Sequence, residues 1–82
     1  MPTREHLVTV TITTSYDPRV HRHLSYFVDV RDGGPHGRQM TTRNPGTHAE
    51  ALAFVDELKA AAKRQPKAIR FDVRDQVPAR YR

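Results

Sequence analysis

The 82-residue chain contains no cysteine and no tryptophan, and only three of its fourteen cationic side chains are lysines. The absence of cysteine excludes a disulfide framework, a thiolate metal site and a cysteine nucleophile. No apolar run approaches the roughly 20 residues that span a bilayer, and residues 1–5 lack the features of a signal peptide. A chain this short has room for one modest core, since folding buries only about 60–65% of its unfolded surface. We therefore expect a single domain, cytoplasmic and without a membrane partner.

Three segments, residues 7–14, 24–31 and 68–74, have the period-two alternation that predicts β-strands. A further, weaker strand is predicted for residues 38–42, between the second of these and the helix. In the first, Val8, Val10 and Ile12 share one side and three threonines share the other. The Gly- and Pro-rich segment 32–37 is the strongest turn signal in the chain and predicts a hairpin between the second and third strands.

The segment after the third strand predicts one amphipathic helix. Thr47 and Glu50 have the spacing of a capping box, in which the Thr47 hydroxyl accepts from the Glu50 amide and the Glu50 carboxylate reaches back to the cap amide. Helical spacing gathers one broad apolar face, made of Ala51, Phe54, Val55, Leu58, Ala61 and Ala62. Pro66 predicts that the helix ends near residues 63–64.

The element order β-β-β-α-β predicts an α+β fold in a single domain covering residues 1–82. Three consecutive strands form an antiparallel meander, and the helix then crosses over to a fourth strand. Because such crossovers are right-handed, the expected strand order is 3-2-1-4, in a mostly antiparallel sheet with the helix on one face. Residues of about 5–75 are expected to be ordered, and residues 76–82 to form an irregular basic tail.

One helix covers only one face of a four-stranded sheet, so the other face is expected to be open. Arg31, Arg70 and Arg74 fall on that face together with Phe27 and the threonines of the first strand. Guanidinium groups pair with phosphates, and an aromatic ring offers a stacking platform for a base. A solvated sheet face has the same polar alternation without any ligand. Asp29 and Asp72 are expected to neutralise two of the arginines.

Charge is distributed unevenly among the predicted elements. Fourteen Lys and Arg oppose nine Asp and Glu, for a formal net charge of +5 with neutral histidine. The helix is nearly neutral, whereas the strands and loops are rich in arginine. Arg19 and Arg22 fall in the loop between the first two strands, and Arg38 borders the hairpin. Basic loops suit phosphate contacts that position a nucleic acid, although charged loops are also common for solubility alone.

The histidines and acids are the candidates for catalytic or metal-binding roles. His21 and His23 have spacing that allows two imidazoles to share a metal on a strand, but the other ligands of a structural zinc site are missing. Asp29, Glu50 and Asp72 follow the strand, helix, strand order of a ribonuclease-H-like nuclease. The alternation of the strands points both aspartates away from the helix, so the three carboxylates do not share an ion. We predict no catalytic residue, no metal and no cofactor.

Residues 26–58 resemble the arm-type DNA-binding domain found at the N-terminus of many tyrosine integrases. The residues that carry the resemblance are Tyr26, Val28, Val30, Arg31, Asp32, Gly37, Arg38, Gln39, Thr47, Glu50, Ala51, Phe54, Glu57 and Leu58. The resemblance implies a sheet lying in the DNA major groove, with contacts from Arg31, Arg38, Gln39 and Arg43. The element order is also similar to that of the HicB-type antitoxins, which have a truncated ribonuclease-H-like fold with a fourth strand after the helix.

The sequence therefore predicts a small, basic, non-enzymatic domain that binds nucleic acid, DNA slightly favoured over RNA. The candidate residues are Arg19, Arg22, Phe27, Arg31, Arg38, Arg43, Arg70 and Arg74. The alternative is a protein-interaction module: an antitoxin, a phage-type inhibitor or an accessory subunit. Homo-oligomers are conceivable through an edge strand, or through a line of small helix residues formed by Ala49, Ala53 and Ala60.

Overall fold

The computed structural model describes residues 6–15, 25–66 and 68–82. Four strands, one α-helix and a short 3₁₀ turn follow one another in the predicted order. Their bounds are β1 (His6–Ser15), β2 (Ser25–Asp32), β3 (Arg38–Arg43), α1 (His48–Lys63), β4 (Ile69–Asp75) and the 3₁₀ turn Ala79–Tyr81. Each predicted strand is confirmed to within one residue at either end.

The four strands form one sheet in the order β3-β2-β1-β4, which confirms the predicted topology. The pairings of β1 with β2 and of β2 with β3 are antiparallel. The pairing of β1 with β4 is parallel, because α1 carries the chain back across the sheet before β4 begins. The sheet is therefore mixed, with β3 and β4 at its two edges.

The core lies between α1 and one face of the sheet. The alternation in β1 turns its β-branched apolar residues toward the helix, and Val10 and Ile12 are fully buried. The buried apolar residues are Val8, Val10, Ile12, Tyr26, Val28, Val30, Ala51, Val55 and Val77. Burying a side chain of this size stabilises the fold by about 1.5–3 kcal/mol. The two inner strands, β1 and β2, therefore supply sheet residues of the core that are fully shielded from water: Val10, Ile12 and Val28.

The start of α1 has the predicted cap with one difference. The Glu50 amide donates to Thr47 Oγ1 at 3.1 Å, as the capping box predicts. The Glu50 carboxylate accepts from the amide of Gly46 at 2.8 Å instead of from the Thr47 amide. The first bond satisfies a backbone donor that the first helical turn leaves without a partner inside the helix, and the second ties the residue before the cap to that turn.

Residues 76–82 do not match the irregular tail that the sequence predicts. Val77 is 1% exposed and belongs to the core. The Tyr26 hydroxyl donates to the Tyr81 carbonyl at 2.5 Å, and the Tyr81 amide donates to Pro78 in the 3₁₀ turn. An apolar side chain at Val77 and a buried phenol that needs an acceptor together fix the segment on the sheet. The C-terminal segment is therefore part of the folded domain.

The turn between β2 and β3 depends on two glycines. Gly33 has a φ of 91°, a value that favours glycine. Gly37 donates its amide to the Gly34 carbonyl at 2.8 Å. A Cβ atom on Gly37 would overlap the Asp32 carbonyl oxygen, whereas a Cβ on Gly34 would meet nothing within 4 Å. The close approach of two backbone segments therefore requires glycine at position 37.

Gly37→Ala is expected to destabilise the domain by about 2–3 kcal/mol, because the clash involves backbone atoms that do not yield easily. Gly34→Ala is the matched control in the same turn and should change stability by less than about 1 kcal/mol. Urea unfolding followed by circular dichroism measures both. Equal stability of the two variants would contradict this account of the turn.

Candidate functional site

The face of the sheet opposite α1 carries the candidate site. Both α1 and the buried Val77 pack on the same side, so no element of the described residues covers the other side. The strand register assigns to that side mostly polar residues together with Leu7 and one aromatic, here called the open face. Its members are Leu7, Thr9, Thr11 and Thr13 of β1, Ser25, Phe27, Asp29 and Arg31 of β2, Gln39 and Thr42 of β3, and Arg70, Asp72 and Arg74 of β4.

Thr9 at the centre of the open face is only 1% exposed, although it does not face the helix. Its register neighbours are Arg31 on β2 and Asp72 on β4, and these longer side chains flank it on both sides. The Thr9 hydroxyl donates to the Gly33 carbonyl at 2.7 Å, so its burial leaves no donor unpaired. At Thr9, β1 therefore forms a floor between the charged side chains of β2 and β4.

Arg31 is held by two direct hydrogen bonds at one side of this floor. Its Nε donates to Asp29 Oδ2 at 2.6 Å, and its Nη1 donates to the Gly37 carbonyl at 3.0 Å. The second Asp29 oxygen accepts from Gln39 at 2.9 Å. The guanidinium consequently has a fixed orientation, which lowers the entropy lost when it binds an anion.

The arginines of β4 lie on the other side of Thr9. Arg74 Nε donates to Asp72 Oδ2 at 3.0 Å, and both side chains are close to half exposed. Arg70 is exposed and has no ion pair among the described residues. These pairs confirm that Asp29 and Asp72 each neutralise one arginine. Three arginines and two aspartates leave the open face one unit of positive charge.

Phe27 is the aromatic member of the open face. It stands opposite Thr13 in the register and is 40% exposed, so one part of its ring is available to a ligand. It lies on the same strand as Arg31 and on the same side of the sheet. The open face thus combines an accessible ring with oriented guanidinium groups.

Two further arginines predicted for the site lie on the other side of the sheet. Arg43 pairs in register with the buried Val28, and its guanidinium lies 5.3 Å from the centre of the Phe54 ring of α1. Arg38 pairs with Asp32 of β2, and Asp32 pairs with the buried Val8 of β1, so Arg38 is also on the helix side. The open face therefore contains neither of them. Arg19 and Arg22 fall outside the described residues.

The acids considered for metal binding lie on both sides of the sheet. Asp29 and Asp72 belong to the open face, whereas Glu50 is on α1 and bonds the Gly46 amide. Within residues 6–15, 25–66 and 68–82, no group of three His, Asp or Glu side chains is arranged to hold a metal ion. His21 and His23 are not among these residues.

A second polar cluster, which the sequence analysis missed, joins the start of α1 to the end of β4. His48 Nε2 lies 2.7 Å from Asp75 Oδ2, and the two side chains are only 12% and 21% exposed. Asp75 Oδ1 accepts from the Val77 amide at 3.1 Å. Arg82 Nε donates to the Val77 carbonyl at 2.9 Å and lies 3.9 Å from Asp75 Oδ2. The cluster therefore fastens the C-terminal segment to the helix.

The contacts of this cluster shift the pKa of the Asp75 carboxyl. Burial acts to raise the pKa of Asp75. The hydrogen bonds from His48 and the Val77 amide lower this pKa, as do the charges of His48 and Arg82, and together they outweigh burial. The pKa of Asp75 consequently lies below its ordinary value of 3.8. A carboxyl whose pKa is lower in the folded state stabilises that state above its unfolded pKa and loses the effect as the pH falls through the folded pKa.

Asp75→Asn should lower the free energy of unfolding at neutral pH by about 1–3 kcal/mol, because the charged hydrogen bonds are lost. The deficit relative to the parent should shrink as the pH falls below 3.8, where the parent Asp75 takes up its own proton. Urea unfolding at neutral and acid pH measures this narrowing. Asp56→Asn, at an exposed position of α1, is the matched control and should leave the free energy of unfolding nearly unchanged at both pH values. A deficit that stays constant down to strong acid would contradict the assignment.

Comparison with known proteins gave no match to any family model, curated protein or solved structure. The resemblances to integrase arm domains and to HicB-type antitoxins therefore remain predictions. Within the described ranges, no helical segment has the length and apolar character that crossing a bilayer demands.

Proposed function

We propose that this domain binds nucleic acid through the open face of its sheet, with DNA as the favoured ligand. The observation that carries the proposal is the uncovered polar sheet face on which Arg31, Arg70 and Arg74 accompany the accessible ring of Phe27. No catalytic step is assigned to it. The proposed role is that of a binding module.

The ion pairs of the open face are compatible with phosphate binding. Each aspartate occupies the Nε position of its arginine, and a guanidinium has five N–H donors. The remaining donors of Arg74 are free to form charge-assisted bonds to phosphate oxygens. Arg70 adds a cation on the same strand and the same face, which supports contacts to more than one phosphate of a backbone.

Phe27 supports contact with bases in addition to phosphates. Its ring is 40% exposed on the same side of the sheet as the arginines. Stacking on a ring is tolerant of sequence because every base has a π-face. An unpaired or splayed base is the form that can reach it.

Arg70→Ala and Arg74→Ala should each weaken binding roughly uniformly across sequences and reduce the slope of log K against log salt by about 1. Arg43→Ala removes the same charge from the opposite side of the sheet and should leave that slope unchanged. Fluorescence anisotropy with short single-stranded DNA, duplex DNA and RNA, over about 50–200 mM salt, measures these slopes. Loss of the slope in Arg43→Ala but not in Arg70→Ala would move the interface to the helix side. No binding of DNA or RNA at low salt would overturn the proposal.

Phe27→Ala should weaken binding of single-stranded DNA by about 1–3 kcal/mol while leaving the salt slope intact, because stacking releases no counterions. Leu52→Ala is the matched control, since Leu52 is 41% exposed on α1, close to the 40% of Phe27. The same anisotropy titration compares the two variants. Equal losses in both would point to a general loss of folding, which circular dichroism detects.

A protein partner is the second candidate, favoured by one specific observation. Met40 is 58% exposed and borders an open groove of about 280 Å³ between α1 and the sheet. The groove walls are mainly apolar, including Leu58, Ala61 and Phe71. Binding there would respond to Met40→Ala and would be insensitive to salt, which separates it from the nucleic-acid interface.

A further inference from the structure

We propose that a second copy of this chain extends the sheet by pairing antiparallel with β4, in a register centred on Phe71. The result is a two-fold symmetric dimer with one continuous eight-stranded sheet. This inference does not depend on nucleic-acid binding, since the free backbone edge of β4 carries it, although Arg70 and Asp72 of that strand also belong to the open face.

The two edges of the sheet differ in their protection against pairing. The β3 edge has a bulge opposite Val30 and Arg31 and begins and ends with arginine. Bulges and edge charges are devices that discourage pairing with another chain. The β4 strand contains no proline, and its seven residues pair with β1 without any register shift. Both edges carry charged residues, four of the seven in β4, so among the described residues β4 is distinguished as the edge without a bulge.

The backbone hydrogen bonds identify which groups β4 offers to a partner. The Ala68 carbonyl accepts from His6, and the Gln76 amide donates to Ile12, so even-numbered residues face β1. The odd-numbered residues Ile69, Phe71 and Val73 consequently direct their N–H and C=O groups to the free edge. Only antiparallel registers that place odd residues opposite odd residues join these groups.

Charge selects among those registers. Centring on Asp72 would place Asp72 opposite itself and Arg70 opposite Arg74, and like charges directly opposite are destabilising. Centring on Phe71 places Arg70 opposite Asp72 of the other copy, and it does so twice by symmetry. Asp72 bonds Arg74 through Oδ2 only, which leaves Oδ1 for the incoming arginine.

The helix side of β4 favours the same register. The register centred on Phe71 sets Ile69 opposite Val73 of the other copy and Phe71 opposite the same residue of the other copy, so that apolar residues meet. All three are only partly buried in one chain. Phe71 and Ile69 also line an open groove of about 340 Å³ beside the end of α1, which leaves room for side chains of the second copy. Centring on Val73 also brings opposite charges together, with Asp72 opposite Arg74, but it places Phe71 opposite Asp75, which His48 already holds.

The charge pairs make the register testable by exchange. Arg70→Asp sets acid opposite acid, and Asp72→Arg sets arginine opposite arginine. Each variant alone should self-associate at least about tenfold more weakly than the parent, since both symmetric pairs turn from attractive to repulsive. An equimolar mixture should recover the association, because the two acids that one variant carries at these positions then face the two arginines of the other.

Sedimentation equilibrium of the full chain over a wide concentration range measures the association, without any nucleic acid present. Arg38→Asp makes the same charge change beside the β3 edge and should dimerise like the parent. Circular dichroism and urea midpoints establish that each variant folds. A parent that stays monomeric at the highest soluble concentration would overturn the proposal. So would variants that dimerise like the parent, or a mixture that stays monomeric.

Discussion

The packing of one helix against one face of the sheet is the contact on which the other features of this domain depend. The β-branched residues of β1 and the apolar face of α1 meet there, and Val10 and Ile12 lose all contact with solvent. A chain of 82 residues has no second helix in its described part to cover the opposite face. The side chains of that face contact water and must therefore be largely polar, which explains its threonines, arginines and aspartates. The candidate site is a consequence of having only one covering layer.

The aspartates of the open face have two opposite effects on its proposed role. Asp29 and Asp72 cancel most of its positive charge, which weakens long-range attraction of a polyanion. They also orient Arg31 and Arg74, whose ion pairs are 2.6 and 3.0 Å long. Exposed ion pairs contribute at most about 1 kcal/mol to stability, so their effect on orientation exceeds their effect on the fold. An interface of this type gains more from geometry than from net charge.

Local pattern predicted most of the fold, because β1, β2, β4 and the helix each have an uninterrupted period. Thr47 and Pro66 bound α1, and the alternation in β1 identifies the buried residues Val8, Val10 and Ile12. Long-range contacts account for what was missed. The link between His48 and Asp75 joins residues 27 positions apart, and the Tyr26 hydroxyl meets Tyr81 across 55 positions. Neither has a periodic signal, although the Asp75 bond to the Val77 amide is an i to i+2 pattern typical of turns.

The location of Arg43 illustrates why the candidate site was only partly predictable. Alternation counted along a regular strand does not reveal the bulge between β2 and β3. The bulge at Met40 interrupts the period of two, so the residues before and after Met40 do not follow one alternation. Arg43 ends beside Phe54 on the helix side, where its guanidinium covers an aromatic ring. The arginines that the sequence predicts for one surface are thus divided between the two sides of the sheet. The same division leaves β4, with Arg70 and Arg74 flanking Asp72, as the most basic strand of the open face. In the dimer proposed above, the two-fold axis is perpendicular to the sheet, so both open faces lie on the same side and the four β4 arginines gather at its centre. Dimerisation would then restore, by symmetry, part of the positive charge density that the aspartates remove from a single copy.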